Sequence, residues 1–308
     1  MTRALEILAT GPLATLQDLG RVGHLALGVS PSGAADQGAY ALGQRLLGNA
    51  AGPNPAGLPA IEATLGALVV RAHGDVLACL TGAPIPATVD GQVVAMDSLI
   101  PLRNRQVLTL GMPSAGLRTY LSVRGGLVAE STLGSCSTDT LSGLGPPPLA
   151  AGQMLEVGPE PSDLPHLDHA PFTSRGGVST PRGDASTRVT LSVSSGPRVD
   201  WFEGGADLRG LLGAEWTVSD RSDRKGIRLI PTGSALRRRL QFEDRELLSE
   251  GMMPGAIQAP PGGELVILHR DHPVTGGYPV LAVVSSAQLD HVAQLVPGQQ
   301  VRFSHVAG

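Results

Sequence analysis

Apolar residues in this chain come in short runs, and each run is cut off by turn chemistry. "ALVVRA", "DVLACLTG", "QVLTLG", "RTYLSV", "RVTLSV", "EWTVS", "ELVILH" and "VLAVVSS" are each followed within a few residues by Gly, Pro, Asn or Asp. Runs of this length, rich in β-branched and aliphatic residues, read as strands. Strands spaced this closely must close or stack, because an open sheet edge invites aggregation. Composition agrees: Gly 41 and Pro 25 supply the turns, and with aromatics at 3% the core must rest on Val, Leu, Ile and Ala. The expected fold is therefore mainly β, with a few short covering helices.

Three stretches carry helical periodicity. Ala39, Leu42, Gly43, Leu46 and Leu47 share one face between Asp36 and Leu47, and Gly48-Asn49 ends the run. Asp200 with Glu203 reads as a capping box for a second helix carrying Leu208, Leu211 and Leu212 and stopping at Gly213. A third starts after Ser286, places Leu289, Val292, Ala293 and Val296 on one side, and stops at Pro297-Gly298. A chain of 308 residues is long enough for two packed units. Between Gly143 and Thr187 the sequence turns Pro- and Gly-rich, which places a linker there. The expected domains are residues 1–185, including that linker, and 186–308.

Charge and cysteine content narrow the function. A net charge of −4 lacks the basic excess needed to coat nucleic acid or an anionic membrane, so neither is an expected partner. Cys79 and Cys136 have no thiol or histidine at ligand spacing, which points to no disulfide and no metal site. "MTRALEILATG" holds no apolar run of signal-peptide length and no segment is long enough to cross a bilayer, so the expected location is cytoplasmic.

Three constellations could carry chemistry. In "TLQDLGRVGHLALGVSPSGAAD", Gln17, Asp18 and Arg21 surround Gly20, and the loop to Asp36 leads into the first helix, whose N-terminus could receive an anion. The alternative is a helix cap at Ser32 or Asp36 with a turn salt bridge. In "VSDRSDRKGIRL", an Arg fork can match a carboxylate or phosphate while a neighbouring Asp holds it, or the charges can make a solvated hairpin. In "SEGMMPGAIQAPPGGELVILHRDHPVTGGYP", Glu250 and Gln258 flank a Gly-Pro-rich bend. There Thr275-Gly276-Gly277 can present backbone N–H groups to an anion, Asp271 is a candidate general base, and Tyr278 could exclude water. A bulged strand junction is the alternative. No "GxxxxGK[ST]", "HExxH" or "GxSxG" motif is present.

Taken in order, "TLQDLGRVGHLALGVSPSGAADQGAYALGQRLLGN", "IEATLGA", "LTGA", "RTYLSVRGGL", "LGSCSTDT", "VSDRSDRKGIRL", "SEGMMPGAIQAPPGGE" and "DHPVTGGYPVLAVV" resemble the KipA family. That family is also called the C component of 5-oxoprolinase, or allophanate hydrolase subunit 2, and includes half of the urea carboxylase carboxyltransferase domain. The resemblance implies two cyclophilin-like β-barrel domains and two partner proteins, one KipI-like and one of the LamB/YcsF type. Together these would open 5-oxoproline to glutamate at the expense of ATP, with the nucleotide bound by or shared with the partners. On this reading Asp271, Arg224 and Asp223 are the catalytic residues. Gln17, Asp18, Arg21, Ser222, Gln258, Thr275, Gly276, Gly277 and Tyr278 bind substrate. Lys225, His272 and Val274 depart from residues common in the family. Two alternatives stand beside this one. The first is a component of biotin-dependent carboxyl transfer, with biotin on another polypeptide because "VAMDSL" lacks the modified lysine. The second is a non-catalytic regulator that binds its KipI-like partner.

Overall fold

The computed structural model describes residues 3–49, 56–162, 169–170, 188–204, 208–233, 236–243 and 245–306. The chain divides into two compact units, one of Met1–Arg21 with Ser32–Ser179 and one of Val22–Pro31 with Thr180–Gly308. The boundary expected at 185/186 and most of the linker's second half lie outside the described residues.

In the first unit two antiparallel sheets enclose one apolar core. The six-stranded sheet runs in the order Met154–Glu156, Ala4–Thr10, Leu68–His73, Val107–Leu110, Ala87–Val89, Gln92–Val94. The five-stranded sheet runs Leu13–Gln17, Ala60–Thr64, Arg118–Val123, Val76–Gly82, Leu99–Leu102. Period-two alternation sends Leu68, Val70 and Ala72 into the core and leaves Val69, Arg71 and His73 half-buried. Arg118–Val123 is buried on both faces: Leu121 and Val123 point into the core, while Tyr120 and Ser122 face the helix Gln37–Leu46. Asp36 caps this helix as expected, its carboxylate accepting from the Ala39 N–H at 2.7 Å. Gly43 is small because a Cβ there would meet the Ser122 hydroxyl oxygen at 2.8 Å.

The second unit is a closed barrel in the order Val189–Ser195, Val280–Val284, Ala256–Gln258, Leu265–Leu268, Gly226–Pro231, Trp216–Val218, Gln300–His305. The ring closes through the parallel pair Val189–Ser195 and Gln300–His305. Leu191, Val193, Trp216, Ile227, Leu229, Ile257, Ile267 and Val301 belong to its buried core. Outside the ring, Glu250–Gly251 pairs with Thr275–Gly276 in a two-stranded ribbon. Closure removes the sheet edges that the short-strand pattern would otherwise expose.

The fold is thus mainly β with few short helices, as expected, but two of the three expected helices are shorter than their periodicity suggests. Instead of a capping box, Asp200 lies inside a single 3-10 turn, Val199–Trp201, and the chain then runs extended at Phe202. Trp201 stacks on Phe242 with ring centroids 4.8 Å apart and Phe202 is buried, so aromatic packing overrides the local signal. Only Arg209–Leu212 is helical there, ending at Gly213. The third helix covers Leu289–Val292 and ends at Ala293, short of Pro297.

Candidate functional site

In the first unit Gln17, Asp18 and Arg21 converge on one segment, Ser135–Thr138. Asp18 is fully buried, and its carboxylate accepts from Gly20 N–H at 2.7 Å, Cys136 N–H at 2.7 Å, Ser135 Oγ at 2.6 Å and Ser137 Oγ. Arg21 donates through Nη2 to the Ser137 carbonyl and through Nε to the Thr132 carbonyl at 3.3 Å. Gln17 donates through Nε2 to Thr15 Oγ1 at 3.0 Å and to the Thr138 carbonyl at 2.9 Å. The expected salt bridge between Asp18 and Arg21 does not form; each is instead bound to the 132–138 segment. Beside Asp18, burial pushes the Cys136 thiol up, and the carboxylate pushes it further while Arg21 opposes.

The Ser32–Asp36 loop lies against this cluster. Ala34 N–H donates to the Asp18 carbonyl at 2.8 Å and Ser32 Oγ to the Thr138 carbonyl at 3.2 Å. Glu62 accepts from Ala35 N–H at 2.9 Å and from the Tyr120 hydroxyl at 2.6 Å, while that hydroxyl oxygen accepts from Asp36 N–H at 2.8 Å. Arg118 pairs with Glu62 at 3.4 Å. Burial, reinforced by Glu62, holds the Tyr120 phenol well above its ordinary value, so it remains a neutral donor. Gly33 sits at φ +91°, where a Cβ would meet Gly20 N and Leu19 C at 2.8 Å. Those are backbone atoms and cannot swing aside. Gly33→Ala is therefore expected to destabilise the first unit by at least about 1 kcal/mol from the left-handed backbone alone, with the contact adding to it. Thermal melting checks this; an unchanged midpoint would mean that the loop relaxes freely.

In the second unit Arg224 and Asp271 form a bidentate ion pair, Nε to Oδ2 at 2.9 Å and Nη2 to Oδ1 at 3.0 Å, with both side chains buried. Asp271 N–H also donates to the Arg224 carbonyl at 3.0 Å, so the pair continues the ladder between Gly226–Pro231 and Leu265–Leu268. The structure thus corrects the picture of a separate base and a separate anion-binding fork: each is the other's partner. Asp223 is exposed and closes the turn before the strand, accepting from Lys225 N–H at 2.8 Å and Gly226 N–H at 3.2 Å. Ser222 Oγ accepts from Arg228 N–H at 3.0 Å. These two residues hold a hairpin.

In the Thr275-Gly276-Gly277 stretch the first two residues lie in the two-stranded ribbon rather than in an isolated turn. Thr275 and Gly276 are ladder residues opposite Gly251 and Glu250. Gly276 makes room for the buried Gln258 amide, whose Nε2 would lie 2.7 Å from a Cβ there and which donates to Met252 Sδ at 3.3 Å. Gly277 and Tyr278 are exposed. Gln258 and Gly276 are thus together, Arg224 and Asp271 are together, and Gln17, Asp18 and Arg21 form a group in the other unit. Sequence reasoning missed Ser135, Ser137, Thr138, Glu62, Arg118 and Tyr120. "LGSCSTDT" holds the first three, and its density of hydroxyls in an otherwise apolar chain is the signal that could have found them.

Among the described residues no group of three or more His, Cys, Asp or Glu is placed to hold a metal ion, and no helix is long and apolar enough to cross a membrane. Neither cysteine is in a disulfide, and both are buried. An open cavity of about 590 Å³ lies in the second unit against Glu203, Arg209, Glu215, Thr232 and Arg237. None of the expected site residues lines it.

Two sheets around one core, a closed barrel and a buried polar cluster on the first unit's loops define the class. Residues 27–305 match the carboxyltransferase domain family, subdomains A and B, and the chain belongs to that family. It is 34% identical over 315 residues to the 5-oxoprolinase C subunit of Escherichia coli, covering 97% of this chain and 90% of that protein. The corresponding 5-oxoprolinase C subunit of Haemophilus influenzae is 32% identical, with 98% and 91% covered. Among solved structures, the K. lactis urea amidolyase superimposes with a TM-score of 0.86 at 28% identity; it covers 99% of this chain, which spans 19% of that protein.

Proposed function

We propose that this chain is the C component of an ATP-dependent 5-oxoprolinase, working with a KipI-like protein and a LamB/YcsF-type protein. The carrying observation is that two relatives bearing that name are matched over about nine-tenths of their own length, whereas the urea amidolyase is matched over 19%. The chemistry is coherent. A lactam carbonyl is a poor electrophile; transfer of the γ-phosphoryl group of ATP to its oxygen turns that oxygen into a leaving group. One water then adds at that carbon, the C–N bond breaks as the ring nitrogen leaves with a proton, and the acyl phosphate so formed is cleaved by a second water, giving glutamate and phosphate beside the ADP released in the first transfer.

Among the described residues, the groups expected to grip an anion in the second unit are otherwise engaged. Arg224 is engaged by Asp271, the Thr275–Gly276 backbone belongs to a ladder, and the sequence lacks a phosphate loop. On this reading the nucleotide is bound by the partner proteins. What this chain offers is a buried cation and amide at Arg21 and Gln17, suited to gripping a small polar substrate away from water. Biotin belongs to a second reading, carboxyl transfer to urea, which the urea amidolyase superposition favours.

This chain, purified and mixed with its KipI-like and LamB/YcsF-type partners, ATP and 5-oxoproline, is expected to support release of glutamate and phosphate in equal amounts. Omitting this chain should lower the rate at least tenfold. If the mixture ignores 5-oxoproline, but this chain and its KipI-like partner carboxylate urea from carboxybiotin, the second reading replaces the first.

A further inference from the structure

We infer that Gln17, Arg21 and Thr138 form a cradle for the amide edge of a lactam, an inference that deepens the 5-oxoprolinase reading and rests on it for the identity of the substrate. Gln17 Oε1, Arg21 Nη1 and Thr138 Oγ1 are buried and have no partner within the protein. Their residues are 0%, 1% and 3% exposed. An unpartnered buried polar atom is costly, and three around one segment call for an occupant.

The remaining atoms of these side chains are fixed, which determines what that occupant must offer. Both hydrogens of Gln17 Nε2 are used, one on the Thr138 carbonyl, which can only accept. The amide orientation follows, and Oε1 is left as an acceptor. Arg21 spends Nε and Nη2 on the carbonyls of Thr132 and Ser137, leaving Nη1 as a cationic donor. Asp18 does not satisfy it, since both carboxylate oxygens face Gly20, Ser135, Cys136 and Ser137. Thr138 Oγ1 can donate or accept.

A fixed acceptor and a fixed cationic donor on one segment are complementary to a group carrying an N–H and a C=O on the same side. A lactam has that form because its ring holds the amide cis; an open-chain trans amide points the two groups apart. Ring opening turns the amide nitrogen into an ammonium and frees it from the carboxylate, so the product no longer holds an N–H and a C=O side by side on one rigid edge. The turn at 141–145, exposed at Leu141, Ser142 and Gly143, runs back over the guanidinium. A Cβ at Gly145 would lie 2.9 Å from Arg21 Nη2, and displacement of this turn would open the cradle.

The test is calorimetric titration of this chain, assembled with its KipI-like partner, with 5-oxoproline, 2-pyrrolidone and N-methyl-2-pyrrolidone. Wild type is expected to bind 2-pyrrolidone at least tenfold tighter than its N-methyl analogue, and 5-oxoproline tighter still. Gln17→Leu should weaken 2-pyrrolidone at least tenfold and erase the preference over the N-methyl compound. A generally unfolded variant would not erase it selectively, and thermal melts verify folding. Thr138→Val, which keeps the shape and the backbone carbonyl, should weaken 5-oxoproline severalfold and serves if Gln17→Leu does not fold. Equal binding of the two pyrrolidones to wild type, or no measurable binding of either at millimolar concentration, overturns the cradle. Glutamate release without this discrimination leaves the 5-oxoprolinase reading standing and removes the cradle. Discrimination without glutamate release does the reverse.

Discussion

Replacing Arg224 with alanine is expected to lower the thermal midpoint of the second unit by on the order of 10 °C, from about 3–5 kcal/mol of lost stability. The variant would leave the Asp271 carboxylate, which is 0% exposed, without its bidentate partner in the barrel wall. Most of the cost comes from that stranded charge, because an intact buried pair often only balances the desolvation of its two ions. The double variant Arg224→Met with Asp271→Leu should accordingly recover most of the loss. Urea denaturation of the wild type, both single variants and the double variant closes the cycle. A single variant as stable as wild type would show that the pair is not structural. With the pair structural, loss of lactam opening in Arg224→Ala does not by itself place Arg224 on the substrate.

Much of this architecture can be read from the chain, and the failures have physical causes. The eight short apolar runs from "ALVVRA" to "VLAVVSS" are all strands, because alternation of period two needs only local information. The helix Gln37–Leu46 is equally plain, with its cap, its periodic face and its glycine stop all local. Which segment pairs with which is not legible in this way. The charged run at 220–225 has the composition of either a hairpin or a site. Asp223 closes a turn, while Arg224 turns inward to an aspartate 47 residues later. The glycines at 276 and 277 suggest an anion-binding turn. Gly276 is instead small because the Gln258 amide lies against it, a contact set by the ribbon with Glu250–Gly251. Likewise, nothing local in "LGSCSTDT" shows that its hydroxyls and N–H groups serve Asp18, more than a hundred residues earlier.

Asp18→Ala is expected to have the larger effect in the first unit, costing about 4 kcal/mol or more, since each donor left unserved in a buried site is worth roughly 1–3 kcal/mol. Four donors depend on this carboxylate: the N–H groups of Gly20 and Cys136 and the hydroxyls of Ser135 and Ser137. Two belong to the backbone and cannot turn elsewhere. Asp18→Asn should fall between, because one oxygen survives as an acceptor while the new NH2 group faces donors. Cys136 gives a local readout. Its thiol is buried, in contact with the Ala129 carbonyl at 3.4 Å, while Cys79 lies in a separate apolar cluster with Leu46 and Leu47. When Asp18 no longer holds the 135–138 segment, a thiol reagent should label Cys136 at least tenfold faster under native conditions, with Cys79 still protected. Labelling of both cysteines at equal rates would indicate global unfolding. An unchanged Cys136 rate in a folded Asp18→Ala variant would mean that the carboxylate does not organise this loop, and the fixed geometry assigned to Gln17 and Arg21 would lose its support.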